Sequence, residues 1–597
     1  MRAGWLVAFI LVLYGASAFV VPTLAPVAIN DDFLYARSVE VLREQGELRI
    51  FPESVSTLVV QIGWGAAWTA IFGESFGVLR ASTVAFSLLA GWAMYGLCRE
   101  LGVDRTRSAL GTALVVFNPL AYATSFSFMS DSYLTGLVTV SVWCYLRGLR
   151  RDEPDARWTT LGSVAASMAF LVRHAGALVP LGVLTWLLVS RRLRLDRPGL
   201  ALVARVALLP LVAVVGHTLW YRSSAGGTSE FSGAVADEIA AAVPGGIATL
   251  AHRLLAVEAT YLGLFVLPIA VAAVPRLPGL LRRMPRSGVI AAALAFGALA
   301  TTAVHFSPFQ NLYPWTPQFL SDYGAGPLDL RGGRQPLVNQ TGVRIILVLC
   351  ALSAIVLVVV LAQRAPRLWE RRGSPAGLVA GVLVWQAAGA VGPSIVLRDS
   401  VLSFDRYFLP LLPLGVALAL WAVRDVRVVQ PAAWAVAALL AVVAVASTRD
   451  HLVRQTATWE LAAQARGDGI AVTQLDAGAA WNGTHAYGLD DPGPGATNAE
   501  EAAEAGAGEP GAVPAAASPG RGLGRRGASI DDPVLLAPYD VAPWWLDFYT
   551  PAIDAEFVVA GDELDGHEVL RRVEISSWLH PEPTYLYLLR RLPPVPP

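Results

Sequence analysis

Four short clusters of ionisable residues interrupt a chain that is otherwise apolar, and each contains groups able to do acid–base or anion chemistry. The first is Asn30-Asp31-Asp32, followed by Tyr35, Arg37, Glu40 and Arg43 at spacings that bring several of them to one helical face. One carboxylate of such a pair can serve as a general base, because partial burial and a like-charged neighbour raise its pKa toward the working range. The ordinary alternative is helix capping, in which Asn30 or Asp31 accepts backbone N–H bonds at a helix start. The second cluster, Phe128-Met129-Ser130-Asp131-Ser132, puts Asp131 at the head of an apolar segment, where an N-cap is again the common use. The third, Arg173-His174, interrupts an apolar hairpin, an expensive place for ionisable groups unless they meet a partner, line a wet cavity or snorkel outward. The fourth, Ser403-Phe404-Asp405-Arg406-Tyr407, precedes Pro410 and Pro413, and its ordinary alternative is a local Asp–Arg ion pair.

The elements that position these clusters are membrane spans. Of 597 residues, 55% are hydrophobic and only 15% charged, with a mean hydropathy of +0.51, which excludes a single soluble core. The net charge of -1 excludes the global basic field that nucleic-acid binding requires. All basic residues are arginine, a pattern that fits GC-rich coding better than arginine-specific chemistry. Cys98, Cys144 and Cys350 fall in or at the ends of apolar segments without metal-ligand spacing.

Apolar segments of roughly 17 to 25 residues, each able to cross a bilayer of about 30 Å, recur up to about residue 447. We expect spans near 4–28, 77–98, 108–127, 132–147, 158–172, 175–190, 199–220, 255–275, 287–304, 344–362, 376–397, 408–423 and 431–447. The first reads as a retained helix rather than a signal peptide, on its length. Arginines concentrate in alternate loops, around Arg99–Arg107, Arg147–Arg151, Arg191–Arg197, Arg276–Arg286 and Arg364–Arg372, which the positive-inside rule assigns to the cytoplasm. Counting Leu58–Phe72 as a span would invert every later loop, so it reads as an interfacial helix. All four ionisable clusters then face the non-cytoplasmic side. Clusters from spans far apart in sequence that converge on one face of one membrane read as a site.

The expected fold is therefore an all-α polytopic membrane protein of about thirteen transmembrane helices with a small C-terminal extracytoplasmic α/β domain. Its divisions are a multi-span domain over 1–447, the start of a soluble domain over 448–487, a disordered Ala/Gly/Pro-rich insertion over 488–529, and the remainder of the soluble domain over 530–597. Strand-like runs at Ile470–Leu475, Ala555–Val559 and Tyr585–Leu589 support that domain.

The order of these motifs resembles the C-type-fold membrane glycosyltransferases, specifically the branch of protein O-mannosyltransferases and lipid A aminoarabinose transferases. Asn30-Asp31-Asp32-Phe33-Leu34-Tyr35-Ala36 looks like that family's acidic motif in the first outer loop, with Asp32 where the family has Glu. Ile71-Phe72-Gly73-Glu74-Ser75 followed by Leu79-Arg80 matches its phenylalanine-glycine, then arginine, pattern at the second span. Phe128 to Leu134 resembles its Met-x-Asp stretch, and Asp405-Arg406-Tyr407-Phe408-Leu409-Pro410 its late Arg-Tyr-x-x-Pro motif. Where the family often has Pro-Pro, this chain has Pro52-Glu53-Ser54, and Glu53 stands near the family's additional loop acid.

The resemblance implies transfer of a hexosyl or pentosyl group from a polyprenyl-phosphate donor to a lipid, glycan or protein hydroxyl on the extracytoplasmic face, in cell-envelope synthesis. Asp32 or Asp31 would be the general base, and Asp131 would orient the acceptor or stabilise positive charge on the sugar. Arg173, His174 and Arg406 would bind the donor phosphate, with Glu53, Tyr35, Asp405 and Tyr407 in support. The loop His305–Arg344, with Tyr313, Trp315 and Tyr323, would cover the sugar. No cofactor is called for; a divalent cation near the acids is compatible with their charge, but no ligand spacing requires one. Composition and architecture point to a bacterial plasma membrane. The rival reading is a transporter or flippase of a lipid-linked or anionic envelope precursor, which would also carry ionisable residues in its spans.

Overall fold

The computed structural model describes residues 2–51, 54, 56–151, 153–193, 196–224, 247–305, 319–327, 330–332, 336–370, 373–397, 404–487, 550 and 553–593. Helices occupy every segment that hydropathy marks as a span. In chain order they are α1 (Arg2–Ser17), α2 (Asp32–Gln45), α3 (Val59–Phe72), α4 (Phe76–Glu100), α5 (Arg105–Val116), α6 (Pro119–Ser125), α7 (Ser130–Gly148), α8 (Ala156–Phe170), α9 (Leu178–Val189) and α10 (Arg197–Ser224). After them come α11 (Ile247–Ala273), α12 (Leu277–Leu281), α13 (Arg286–His305), α14 (Gln340–Glu370), α15 (Pro375–Leu397), α16 (Leu411–Ala422), α17 (Gln430–Gly467) and α18 (Ala479–Ala486). Among the described residues, six helical stretches are long and apolar enough to cross a membrane: Phe76–Glu100, Arg197–Ser223, Leu254–Leu281, Gln340–Arg364, Pro375–Gly392 and Gln430–Gly467. The chain is a mainly helical integral membrane protein.

Two expected spans are broken by local chemistry. The segment 4–28 is helical only to Ser17 and then unwinds through turns toward Pro22 and Pro26, since proline removes a donor and disfavours helix before it. The segment 108–127 divides at Asn118-Pro119, where the Asn118 side chain accepts from the N–H groups of Leu120 and Ala121 and starts α6 afresh. The division at residue 447 falls inside α17, which runs unbroken to Gly467 and joins the bundle to the C-terminal part.

Arginines cluster at one end of the bundle. Arg107 donates to the carbonyls of Val423 (2.7 Å), Arg424 (2.8 Å) and Val426 (3.0 Å), Arg424 to that of Leu101 (2.9 Å), and Arg276 to that of Arg427 (3.0 Å). These bonds satisfy helix-end carbonyls and tie the loops together.

The C-terminal part is a four-stranded sheet in the order β3-β4-β6-β5, formed by β3 (Leu475–Asp476), β4 (Phe557–Ala560), β5 (His567–Ile575) and β6 (Thr584–Arg591). Only β3 and β4 are parallel. Leu475, Val559, Leu586 and Leu588 bury one sheet face against Leu461, Ala462 and Ala465 of α17 and Trp481 of α18, which makes the expected small α/β unit. The expected disordered stretch 488–529 lies outside the described residues. A short hairpin, β1 (Leu320–Ser321) and β2 (Gly324–Ala325), packs against α17, and Arg331 beyond it pairs with Asp476 at 2.7 Å.

Candidate active site

The acidic pair is placed by the chain that unwinds from α1. Arg80, fully buried in α4, donates to the carbonyls of Thr23 (2.7 Å), Ala25 (3.0 Å) and Val27 (2.7 Å), which have lost helical partners and cannot be left bare in a membrane protein. Gly77 lets this segment lie against α4, for a Cβ there would sit 2.6 Å from the Leu24 carbonyl oxygen. Asn30 then adopts φ 55°, a left-handed conformation that Asn tolerates, and turns the chain into α2.

The two aspartates that follow have opposite environments. Asp32 is 1% exposed, and its Oδ1 accepts from Ile29 N–H (2.6 Å) while Oδ2 accepts from Phe128 N–H (3.3 Å). Burial pushes its carboxyl up to about 7, against the pull of Arg80 and those two N–H groups. It joins the first cluster to the second. Asp31 keeps 21% of its side chain exposed, makes no side-chain cap for α2, and receives Arg406 Nη2 at 3.1 Å.

Asp131 is not a cap either: α7 starts from Met129 without a side-chain bond, and the buried Asp131 carboxylate instead meets two guanidinium groups. Its Oδ1 accepts from Arg173 Nη1, and its Oδ2 lies 3.6 Å from Arg406 Nη1. Arg406 thus bridges Asp31 and Asp131. The Tyr407 ring lies against both arginines, 4.4 Å from the Arg173 guanidinium carbon and 5.6 Å from that of Arg406. Burial opposes the Arg406 charge, but Asp131, Tyr407, Asp31 and Tyr35 outweigh it and hold the guanidinium protonated. The Tyr35 phenol is raised by burial and by the Asp31 and Asp131 charges, so it stays a hydrogen-bond donor at this cluster.

Asp405 engages backbone: its Oδ2 accepts from Phe319 N–H (3.0 Å) and Leu320 N–H (2.8 Å), and its Oδ1 from Arg406 N–H (2.7 Å), so it anchors the hairpin to this turn. Arg173 is extended (φ -151°, ψ 146°) and leads into the turn His174–Ala177, where the His174 ring lies edge-on to Phe170 (5.9 Å) and His217 (6.4 Å). Glu53, Ser403, Tyr313 and Trp315 lie outside the described residues, and Tyr323 sits in the turn of the hairpin. Among the described residues, no three His, Cys, Asp or Glu side chains are grouped to hold a metal ion.

The C-terminal unit braces the same place. Gln455 of α17 donates to the Ala28 carbonyl (3.2 Å), Gly483 of α18 fits against the Phe33 ring, and Tyr487 lies 6.2 Å from Phe33 and 6.1 Å from Phe51. Glu258 in α11 is a buried acid outside every motif, and it is the lone charged residue type in the apolar run 255–275.

The helical membrane fold gathers acids and arginines from separate helices at one end. Residues 64–220 match the family described as dolichyl-phosphate-mannose-protein mannosyltransferase, which bears out the resemblance over α3 to α10. No curated protein matches the chain. Among solved structures, ArnT from Cupriavidus metallidurans in the apo state is 15% identical, with 71% of this chain and 78% of that one covered at a TM-score of 0.32. The same protein bound to undecaprenyl phosphate is 14% identical, with the same coverage, at 0.31. Archaeal oligosaccharyltransferase AglB from Archaeoglobus fulgidus, in complex with an inhibitory peptide and a dolichol-phosphate, is 14% identical, with 75% of this chain and 56% of that one covered, at 0.38.

Proposed function

We propose that the protein transfers a glycosyl group from a polyprenyl-phosphate donor to an acceptor hydroxyl at the extracytoplasmic face of a bacterial plasma membrane, with the C-terminal sheet on that side. The observation that carries this reading is Arg406 held between Asp31 and Asp131, with Arg173 on the far side of Asp131. The name of the matched family, which specifies a dolichyl-phosphate sugar, supports the donor class.

In this reading the acceptor oxygen attacks the anomeric carbon as its proton passes to a carboxylate. The bond from that carbon to the phosphate oxygen breaks, and its electron pair leaves with the lipid phosphate. That leaving group is already anionic, so it needs cations more than a proton, and arginine's planar fork suits phosphate oxygens. Arg406 and Arg173 fill this role. Asp31 is the base rather than Asp32, because Asp32 has both oxygens engaged by backbone N–H groups while Asp31 is partly open. Donor phosphate competes with Asp31 for Arg406, so donor binding itself loosens the ion pair and frees the base. Asp131 fixes the two guanidinium groups and stabilises charge on the sugar from close by.

The test is to reconstitute the full chain in nanodiscs and offer a panel of radiolabelled polyprenyl-phosphate sugars. We expect turnover of one donor and competition by undecaprenyl phosphate. Folded protein that neither binds undecaprenyl phosphate nor turns over any donor would contradict the reading and favour lipid transport.

A further inference from the structure

Glu258 is 5% exposed, and its Oε1 has no hydrogen-bond partner among the described residues. An ionisable group buried in a span is costly unless it serves a ligand or a cavity, so this residue needs an explanation that packing does not supply. Its place in the fold gives one. Tyr261, one turn further along the same face of α11, stacks on Phe408 with ring centroids 5.1 Å apart. Leu262 lies against Gly415 of α16, so α11 runs alongside the helix that follows the Asp405–Phe408 turn. Glu258 stands about 4.5 Å further toward the head of α11 than Tyr261, at three residues of 1.5 Å rise each. α11 therefore packs beside the turn that carries Arg406 and Tyr407, and Glu258 lies within one helical turn of that contact.

We propose that Glu258 is a sugar-recognition residue: its carboxyl hydrogen-bonds a ring hydroxyl of the glycosyl group whose phosphate is held by Arg406 and Arg173. This rests on the transferase reading above. The sugar linked to a phosphate at Arg406 would meet α11, the helix whose Tyr261 stacks on Phe408 of the same turn. A buried carboxyl matched to a hydroxyl discriminates strongly against a sugar that lacks it, because the unmatched polar group is then left bare in an apolar wall. Glu258 takes no part in proton transfer.

The experiment compares wild type, Glu258→Gln and Glu258→Leu in nanodiscs. It measures binding of undecaprenyl phosphate, binding and turnover of the preferred polyprenyl-phosphate sugar, the same for its single-deoxy analogues, and thermal unfolding. We expect undecaprenyl phosphate to bind all three proteins within twofold. For the preferred donor, kcat/KM should fall about 10- to 100-fold in Glu258→Gln and further in Glu258→Leu, and one deoxy analogue should erase the difference between wild type and variants. If Glu258→Leu unfolds at a higher temperature and keeps the wild-type preference among donors, the acid is a packing liability and the proposal is overturned, with the lipid-phosphate reading intact. If wild type binds neither undecaprenyl phosphate nor any sugar donor, the transferase reading falls and takes this role with it.

Discussion

The two ends of the helical bundle use the same arginine side chain for different ends. At the arginine-rich end, Arg107, Arg424 and Arg276 donate mainly to loop carbonyls, and ion pairs there have one exposed partner, as in the pairs of Arg150 with Glu100 and Arg364 with Asp425. At the acid end, Arg173 and Arg406 turn away from backbone and are held by aspartates from other helices, under a tyrosine ring. Carbonyl-bound arginines have spent their donors on fixed acceptors. Arginines paired with carboxylates can exchange one anion for another, and the proposed phosphate-binding role draws on this capacity.

Arg406→Ala should break the comparison most severely. It leaves Asp131 with one guanidinium and Asp31 with none, so we expect transfer to drop below detection and stability to fall by about 3–5 kcal/mol, read by thermal unfolding in detergent. Asp32→Asn comes next and acts on stability. The folded pKa of about 7 lies above the ordinary 3.8, so the folded state holds a proton that the unfolded chain has released between those values. Stability therefore declines as pH rises from about 4 to about 7 and levels off above. The amide should flatten that decline, leaving the slope from Asp322, whose carboxyl burial pushes up to about 6. One amide oxygen cannot serve both N–H groups, so we also expect a loss of about 1–2 kcal/mol at pH 8.

At the other end, Arg107→Ala should cost about 2 kcal/mol, from the loss of charged hydrogen bonds to three carbonyls, while transfer stays within twofold of wild type. Arg150→Ala, at an exposed pair, should change stability by less than about 0.5 kcal/mol. A large loss of transfer from either substitution would erase the distinction between the two ends.

Most helices were legible because a span has to be continuous and apolar, and hydropathy sees that directly. The breaks after Ser17 and at Asn118-Pro119 were hidden because the freed backbone groups are satisfied by remote or local side chains, Arg80 and Asn118, which a hydropathy window does not weigh. The motifs single out Asp31, Asp131, Arg173 and Arg406, which the structure brings together, but they do not rank the two neighbouring aspartates. Which of them meets backbone and which meets Arg406 depends on the left-handed turn at Asn30 and on the approach of Phe128, a residue 96 positions away. Glu258 gave only the signal of a single acid in an apolar run, with no motif around it.

The central claim is that Asp31, not Asp32, takes the acceptor proton, and the most direct measurement is single-turnover transfer by Asp31→Asn and Asp32→Asn with undecaprenyl phosphate binding followed in parallel. We expect Asp31→Asn to lose about 10²- to 10⁴-fold in transfer while still binding the lipid phosphate, and Asp32→Asn to retain transfer in proportion to its folded fraction. Transfer that survives in Asp31→Asn and vanishes in folded Asp32→Asn would contradict the account.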